Sequence, residues 1–201
     1  MIIPLGIWVL GRACRDLKVF LNKGFGYLFV SVNISVVQLQ DNSLVDIIAH
    51  LLEATGLEPE YLMLELTESR KRNNPDILRV MQRLHDMGVK LALDDFGTGY
   101  SSYSNIKDLP IESLKIDRSL ISGVDGNNKD AIIVHSIIRM AHALGIKVIA
   151  EGIETNEQFQ MLRRFGCDFS QGYYLGYPDS RDKITDLLSG EKTAAVLCNN
   201  P

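Results

Sequence analysis

This chain of 201 residues is poor in several features, and each shortage excludes a class of protein. Cysteine occurs three times, at Cys14, Cys167 and Cys198. An odd, widely spaced set builds neither a disulfide framework nor a Cys-x-x-Cys zinc site, and the expected setting is a reducing cytoplasm. Net charge is only −4, so no bulk attraction to duplex nucleic acid or to an anionic membrane surface is expected. No apolar run approaches the roughly 20 residues that cross a bilayer. The opening Met-Ile-Ile-Pro-Leu-Gly carries no basic flank and no cleavage pattern, so no secretory leader is expected. Internal repeats and linker-like stretches are also missing.

What is present suits one globular domain. Hydrophobic residues make up 46% and charged residues 23%, enough for a substantial core. Periodicity supports one domain over 1–190, with 191–201 an unpatterned tail. Helix-spaced apolar residues alternate with short apolar strands. The spacing predicts helices over 7–22, 44–54 and 129–144, and strands over 27–32, 61–66, 89–93, 113–117, 147–150 and 168–175. Trp8 is read as core. In helix 129–144 the buried stripe is read as Ile133, Ile137, Met140 and Leu144. Asn74-Pro75-Asp76 opens a further helix, with Asn as cap and Pro first inside. Thr155 to Gln158 has capping-box spacing. Strand alternating with helix predicts an α/β fold with a parallel sheet.

The strands share one peculiarity: their C-terminal ends are polar. They carry Asn33, Glu65, Asp94 with Asp95, Lys115, Glu151 and Gln171. Each has a plain explanation alone. Asn33 and the Asp-Gly text at 94–99 suit turns, Glu65 could face solvent on an edge strand, and Lys115 could be an edge device. Adjacent strand residues point to opposite faces, so Asp94 and Asp95 need a kink to serve one point. Six polar ends in succession are better explained by a common site on the rim where α/β barrels place their chemistry.

Carboxylates with one amide oxygen suit hard cations such as Mg²⁺ or Mn²⁺. No His or Cys stands at a strand end, as zinc would prefer. Two divalent ions would offset the clustered negative charge and could clamp a phosphoryl displacement, with Lys115 stabilising developing charge. Phosphate diesters are one substrate class that fits. Enolisation with Mg²⁺ and a lysine base is another.

Taken together, Asn33-Ile34-Ser35, Glu65-Leu66-Thr67-Glu68, Asp94-Asp95-Phe96-Gly97-Thr98-Gly99, Lys115-Ile116-Asp117, Glu151-Gly152-Ile153-Glu154-Thr155 and Gln171-Gly172 resemble the motifs of the EAL domain, in order and approximate spacing, over about residues 3–188. That family comprises bacterial phosphodiesterases that open cyclic di-GMP to linear pGpG. The resemblance implies a (β/α)8, TIM-barrel-like fold. It also implies two Mg²⁺ or Mn²⁺ ions per site. Asn33, Glu65 and Asp94 would hold the first, and Asp94, Asp95 and Glu151 the second. Lys115 would polarise the attacking water, and Gln171 would assist through the water and phosphate network. Asp117, Gln171 and Tyr173 would contact substrate. Glu68 would tether the loop Phe96 to Asn105. A homodimer, or contact with another signalling domain, would use Gly99–Asn105, where Tyr100 and Tyr103 suggest an interface.

The chain also departs from the pattern. It contains no Glu-Ala-Leu, whose glutamate would be a first-metal ligand on a strand before residue 1. The first two strands of the barrel are expected to be absent from this chain, leaving open edges beside the first and last strands. The expectations are reduced metal affinity, low or absent turnover and self-association. A receptor or interaction module that binds cyclic di-GMP without hydrolysis is the alternative.

Overall fold

A computed structural model of the chain describes residues 2–67, 74–97, 103–126 and 128–190, without the side chains of 103–105 and 128. In chain order the elements are α1 (Ile2–Asn22), β1 (Val30–Ile34), α2 (Val36–Leu39), α3 (Leu44–Thr55), β2 (Leu62–Thr67), α4 (Pro75–Asp86), β3 (Lys90–Phe96), β4 (Ser113–Ile116), α5 (Arg118–Ile121), α6 (Asn128–Ala143), β5 (Lys147–Ala150), α7 (Asn156–Arg164), β6 (Phe169–Ser170) and α8 (Arg181–Ser189). Among the described residues no helix is long and apolar enough to cross a membrane. The expected tail, 191–201, lies outside the described residues.

The strands form one parallel sheet in the order β1-β2-β3-β4-β5-β6. It is a six-stranded, curled arc of a (β/α)8-type barrel. Nearly every residue of β2 to β5 is buried, so β2 and the first half of β3 read as near-continuous apolar runs, whereas β4 alternates Ser-Leu-Lys-Ile. On the outer face Leu64, Leu66, Leu91, Leu93, Leu114, Ile116 and Val148 pack with helix residues such as Leu10, Ile48, Ile77, Leu84 and Ile138. Each such side chain contributes about 1.5–3 kcal/mol by leaving water.

The inner face is layered. Met63, Ala92 and Ile149 form an apolar floor against Phe29. Side chains two positions further along a strand point the same way. Above Met63 stands Glu65, above Ala92 Asp94, above Ser113 Lys115 and above Ile149 Glu151. The register is staggered: Asn33 pairs with Glu65, but Glu65 pairs with Ala92 and Lys115 with Ile149, so Asp94 and Glu151 stand one inward-facing position further along their strands.

Three expectations are corrected. Trp8 is not core; the residue is 61% exposed, because α1 buries Leu10, Cys14 and Leu17 instead. The α6 stripe is rotated. Val134, Ile137, Ile138 and Ala141 are buried, whereas Ile133 and Leu144 lie outside. Three consecutive β-branched residues, Ile132 to Val134, allow more than one helical stripe, and packing chooses among them. The last strand is two residues long, not eight, because the chain turns at Gly172.

Candidate active site

Lys115 is the hub of the site. It is 3% exposed, on a strand third from one edge of the sheet and fourth from the other. Its Nζ donates to Glu65 Oε2 at 2.6 Å and lies 2.5 Å from Glu151 Oε1 and 3.3 Å from Asp94 Oδ1. Carboxylates from the ends of β2, β3 and β5 therefore meet an ammonium from β4. Burial alone would lower the Lys115 pKa. Hydrogen bonds to Glu151 and Glu65, with both charges, outweigh burial and hold the group above its ordinary 10.5. Glu151 moves up as well. Burial raises it, Lys115 pulls it back, and Asp94 and Glu65 add an upward push. Three carboxylates against one ammonium leave the cluster anionic, so a further cation is favoured there.

The kink that the paired aspartates require is present. Asp95 adopts φ 57°, rare for a residue other than glycine, and the β3–β4 register shifts between Leu93 and Phe96. Asp94 Oδ1 accepts from the Asp95 backbone N–H at 3.0 Å. A bulge re-aims side chains at a strand end, and here it falls between two carboxylates expected to act together.

The other expected residues are distributed unevenly. Asn33 is exposed on the same face as Glu65, one strand away. Gln171 and Tyr173 line a cleft of about 230 Å³ with Arg118, Glu151, Gly152 and Glu154. Asp117 is not among the residues lining that cleft; its carboxylate caps α5 by accepting from Ser119 N–H at 2.9 Å. Glu68 and most of the 99–105 segment lie outside the described residues. A larger recess of about 340 Å³ sits between Leu52, Pro59 and Met87, near the N-terminal ends of β2 and β3. It has no comparable cluster of acids and base, so the smaller cleft is the chemical candidate.

Sequence reading missed several supporting groups. Ser31 Oγ donates to Glu65 Oε1, opposite the lysine; its signal was its position two residues before Asn33. Gln38, only 4% exposed, completes a capping box with Ser35 behind a polar strand end, and Gln158, 5% exposed, completes the box that the Thr155–Gln158 spacing predicted. Gln158 Oε1 accepts from Glu154 and Thr155 N–H at 2.9 and 3.3 Å, pinning the loop after Glu151. Arg118 pairs with Glu154 at 2.5 Å across the cleft mouth. Gly172 is pressed against that loop, and a Cβ there would fall 2.1 Å from Ile153 O.

The EAL domain profile matches residues 1–178. The chain belongs to the EAL domain family. Its relatives include the bifunctional diguanylate cyclase/cyclic di-GMP phosphodiesterase MucR of Pseudomonas aeruginosa, 41% identical over 92% of this chain and 27% of MucR. The cyclic di-GMP phosphodiesterase NbdA of the same organism is 44% identical over 89% of this chain and 23% of NbdA. The chain thus spans about a quarter of the length of these EAL relatives. The c-di-GMP complex of the MucR phosphodiesterase matches with a TM-score of 0.85 at 40% identity, covering 91% of this chain and 74% of that one. A manganese/cyclic di-GMP complex of Klebsiella pneumoniae BlrP1 matches with a TM-score of 0.73 at 28% identity, covering 84% and 44%.

The EAL site differs from a ready-made metal cage in one respect. Among the described residues no group of three or more His, Cys, Asp or Glu side chains is already arranged around a position for a metal. Glu65, Asp94 and Glu151 converge instead on the Lys115 ammonium. Their oxygen-only chemistry nevertheless fits Mg²⁺ or Mn²⁺ better than softer ions.

Proposed function

We propose that this EAL chain hydrolyses cyclic di-GMP to linear pGpG. The observation that carries the reading is the convergence of Glu65, Asp94 and Glu151 on Lys115 at one end of a parallel sheet. Water would add to one phosphorus, the bond from phosphorus to the 3′ oxygen would break, and a 5′-phosphate and a 3′-hydroxyl would result. Asn33, Glu65, Asp94, Asp95 and Glu151 would hold Mg²⁺ or Mn²⁺, two ions per site. When bound, the ions would supply Lewis-acid stabilisation of the charge that develops on the phosphoryl oxygens.

The chain's own groups divide the remaining work. Lys115 in its ammonium form is a hydrogen-bond donor. Its role is to orient the attacking water and to meet negative charge. Gln171, Asp117 and Tyr173 would contact the substrate, and Glu68 would steady the loop after Asp95. The same reading includes one domain over 1–190, and a homodimer or a contact with another signalling domain through Gly99–Asn105.

Incubation with cyclic di-GMP and Mn²⁺, followed by chromatography, tests the activity. The expected product is pGpG, lost in Asp94→Asn. A chain that binds the metal and the nucleotide but yields no pGpG would overturn hydrolysis. One observation favours that second reading: Lys115 already neutralises part of the acid cluster. The chain would then be a cyclic di-GMP receptor, recognised by calorimetric binding without turnover.

A further inference from the structure

Tyr173 and Tyr177 stack beside the acid cluster. Their ring centroids are 4.7 Å apart and their planes differ by 21°. Both remain largely in water, at 55% and 71% exposure. The backbone creates the pair: Leu175 and Gly176 N–H both donate to Gly172 O, at 3.0 and 3.2 Å, turning the chain so that positions four apart come side by side. Neither ring is needed by the core described above. Tyr174, between them in sequence, is engaged elsewhere. Its hydroxyl donates to Asn156 Oδ1 at 2.9 Å and its ring leans on Phe159.

Tyr173 also lines the cleft that contains Glu151 and Gln171. At about 230 Å³ that cleft falls below the roughly 300–1,000 Å³ usual for a whole small ligand. It suits part of one, held elsewhere by the charged layer. Aromatic faces are sequence-tolerant platforms for nucleobases. A free ring can rotate away from a base, whereas a ring backed by a second ring keeps its orientation.

We propose that Tyr177 is a positioning residue: it backs Tyr173 so that the free face of Tyr173 stacks one base of the bound nucleotide. The identity of that base as guanine rests on the cyclic di-GMP reading above. The backing needs a flat ring and not a hydroxyl, so phenylalanine should serve.

The experiment compares the unaltered chain, Tyr177→Ala and Tyr177→Phe in two measurements. The first is steady-state hydrolysis of cyclic di-GMP. Tyr177→Ala is expected to raise KM about 5- to 20-fold, the lower part of the range for losing an aromatic–base stack. Turnover at saturation should change less than KM, and Tyr177→Phe should restore KM. The second is NMR of the Tyr173 ring protons during titration with guanosine monophosphate. The unaltered chain and Tyr177→Phe should show upfield shifts that Tyr177→Ala lacks. If pGpG forms with the same KM in Tyr177→Ala, the stacking role is overturned and the hydrolytic reading stands. If no chain makes pGpG, yet guanosine monophosphate moves the Tyr173 ring only when position 177 is aromatic, hydrolysis fails and the stacking role stands. If the ring does not respond to the nucleotide in the unaltered chain, the stacking role is overturned.

Discussion

Phe29, one residue before β1, meets Phe169 of β6 edge-on, with ring centroids 5.8 Å apart. β1 and β6 are the first and last strands of the sheet. The pair therefore links the two ends of the arc across its interior. Each ring also carries a lysine ammonium near its face, Lys90 over Phe29 at 6.0 Å and Lys147 over Phe169 at 5.7 Å. The expected outcome for Phe169→Ala is a loss of about 1–3 kcal/mol, less than for a fully buried phenylalanine because the ring is partly exposed. Hydrogen exchange should speed up in β1 and β6 together. Faster exchange in β6 alone would show that the rings touch without coupling the edges.

Removing the hub ammonium should be costly in the absence of metal. Lys115→Met leaves Glu65, Asp94 and Glu151 facing one another with no counter-charge. Breaking a buried pair from one side costs about 3–5 kcal/mol. Urea unfolding in the presence of a chelator should show a loss of that size. Mn²⁺ should then stabilise Lys115→Met more than it stabilises the unaltered chain, because no ammonium competes for the carboxylates. Equal stabilisation of both would mean that Lys115 and the metal do not share the acids.

The same lysine fixes an alkaline limit. Its folded pKa is raised above the ordinary 10.5, so the folded state holds the proton more tightly than the unfolded state. The stability it contributes is fully present below 10.5 and is lost as pH rises from there through the folded value. Glu151 is raised too, so its contribution also favours the fold toward lower pH and is withdrawn as pH rises through the carboxylate range. Thermal unfolding of the metal-free chain should show a decline above about pH 10.5 that is absent in Lys115→Met. A decline of the same size in both would assign it to other groups.

Local chemistry was legible and long-range packing was not. Asn74-Pro75-Asp76 marked its helix start because cap and ring act within one turn, and the Asn74 side chain does accept from Asp76 N–H. Thr155 and Gln158 formed their capping box as spaced. Strand 147–150 was read to the residue. Trp8 and the α6 stripe failed because periodicity fixes a helix but not which of two apolar phases meets the sheet. The end of β3 was placed too early, since Asp94 and Asp95 read as a turn while the strand continues through them to Phe96. At the site, the polar strand ends pointed to a shared rim. Ser31 was silent because its role depends on Glu65 in another strand, and Tyr177 because its pairing depends on the turn set at Gly172.

That glycine supports the last prediction. Gly172 is not among the residues with positive φ, so its requirement is steric. A Cβ would sit 2.1 and 2.2 Å from the backbone O and N of Ile153, atoms that no side-chain rotation can move. The same contact carries two hydrogen bonds, Ile153 N–H to Gln171 O at 3.1 Å and Tyr174 N–H to Ile153 O at 3.0 Å. Gly172→Ala must separate the Gln171–Tyr174 turn from the Glu151–Glu154 loop. Losing both bonds costs about 1–3 kcal/mol. A displacement near 1 Å of Glu151 or Gln171 could lower activity on the order of 100-fold. Gly145→Ala is the control, because Gly145 has φ +74° and nothing within 4 Å of an added Cβ. It should lose about 1–2 kcal/mol through backbone strain alone and keep its kcat/KM. Melting temperature and kcat/KM for the two variants separate the cases: equal losses of activity would mean that Gly172 serves the fold and not the alignment of the site.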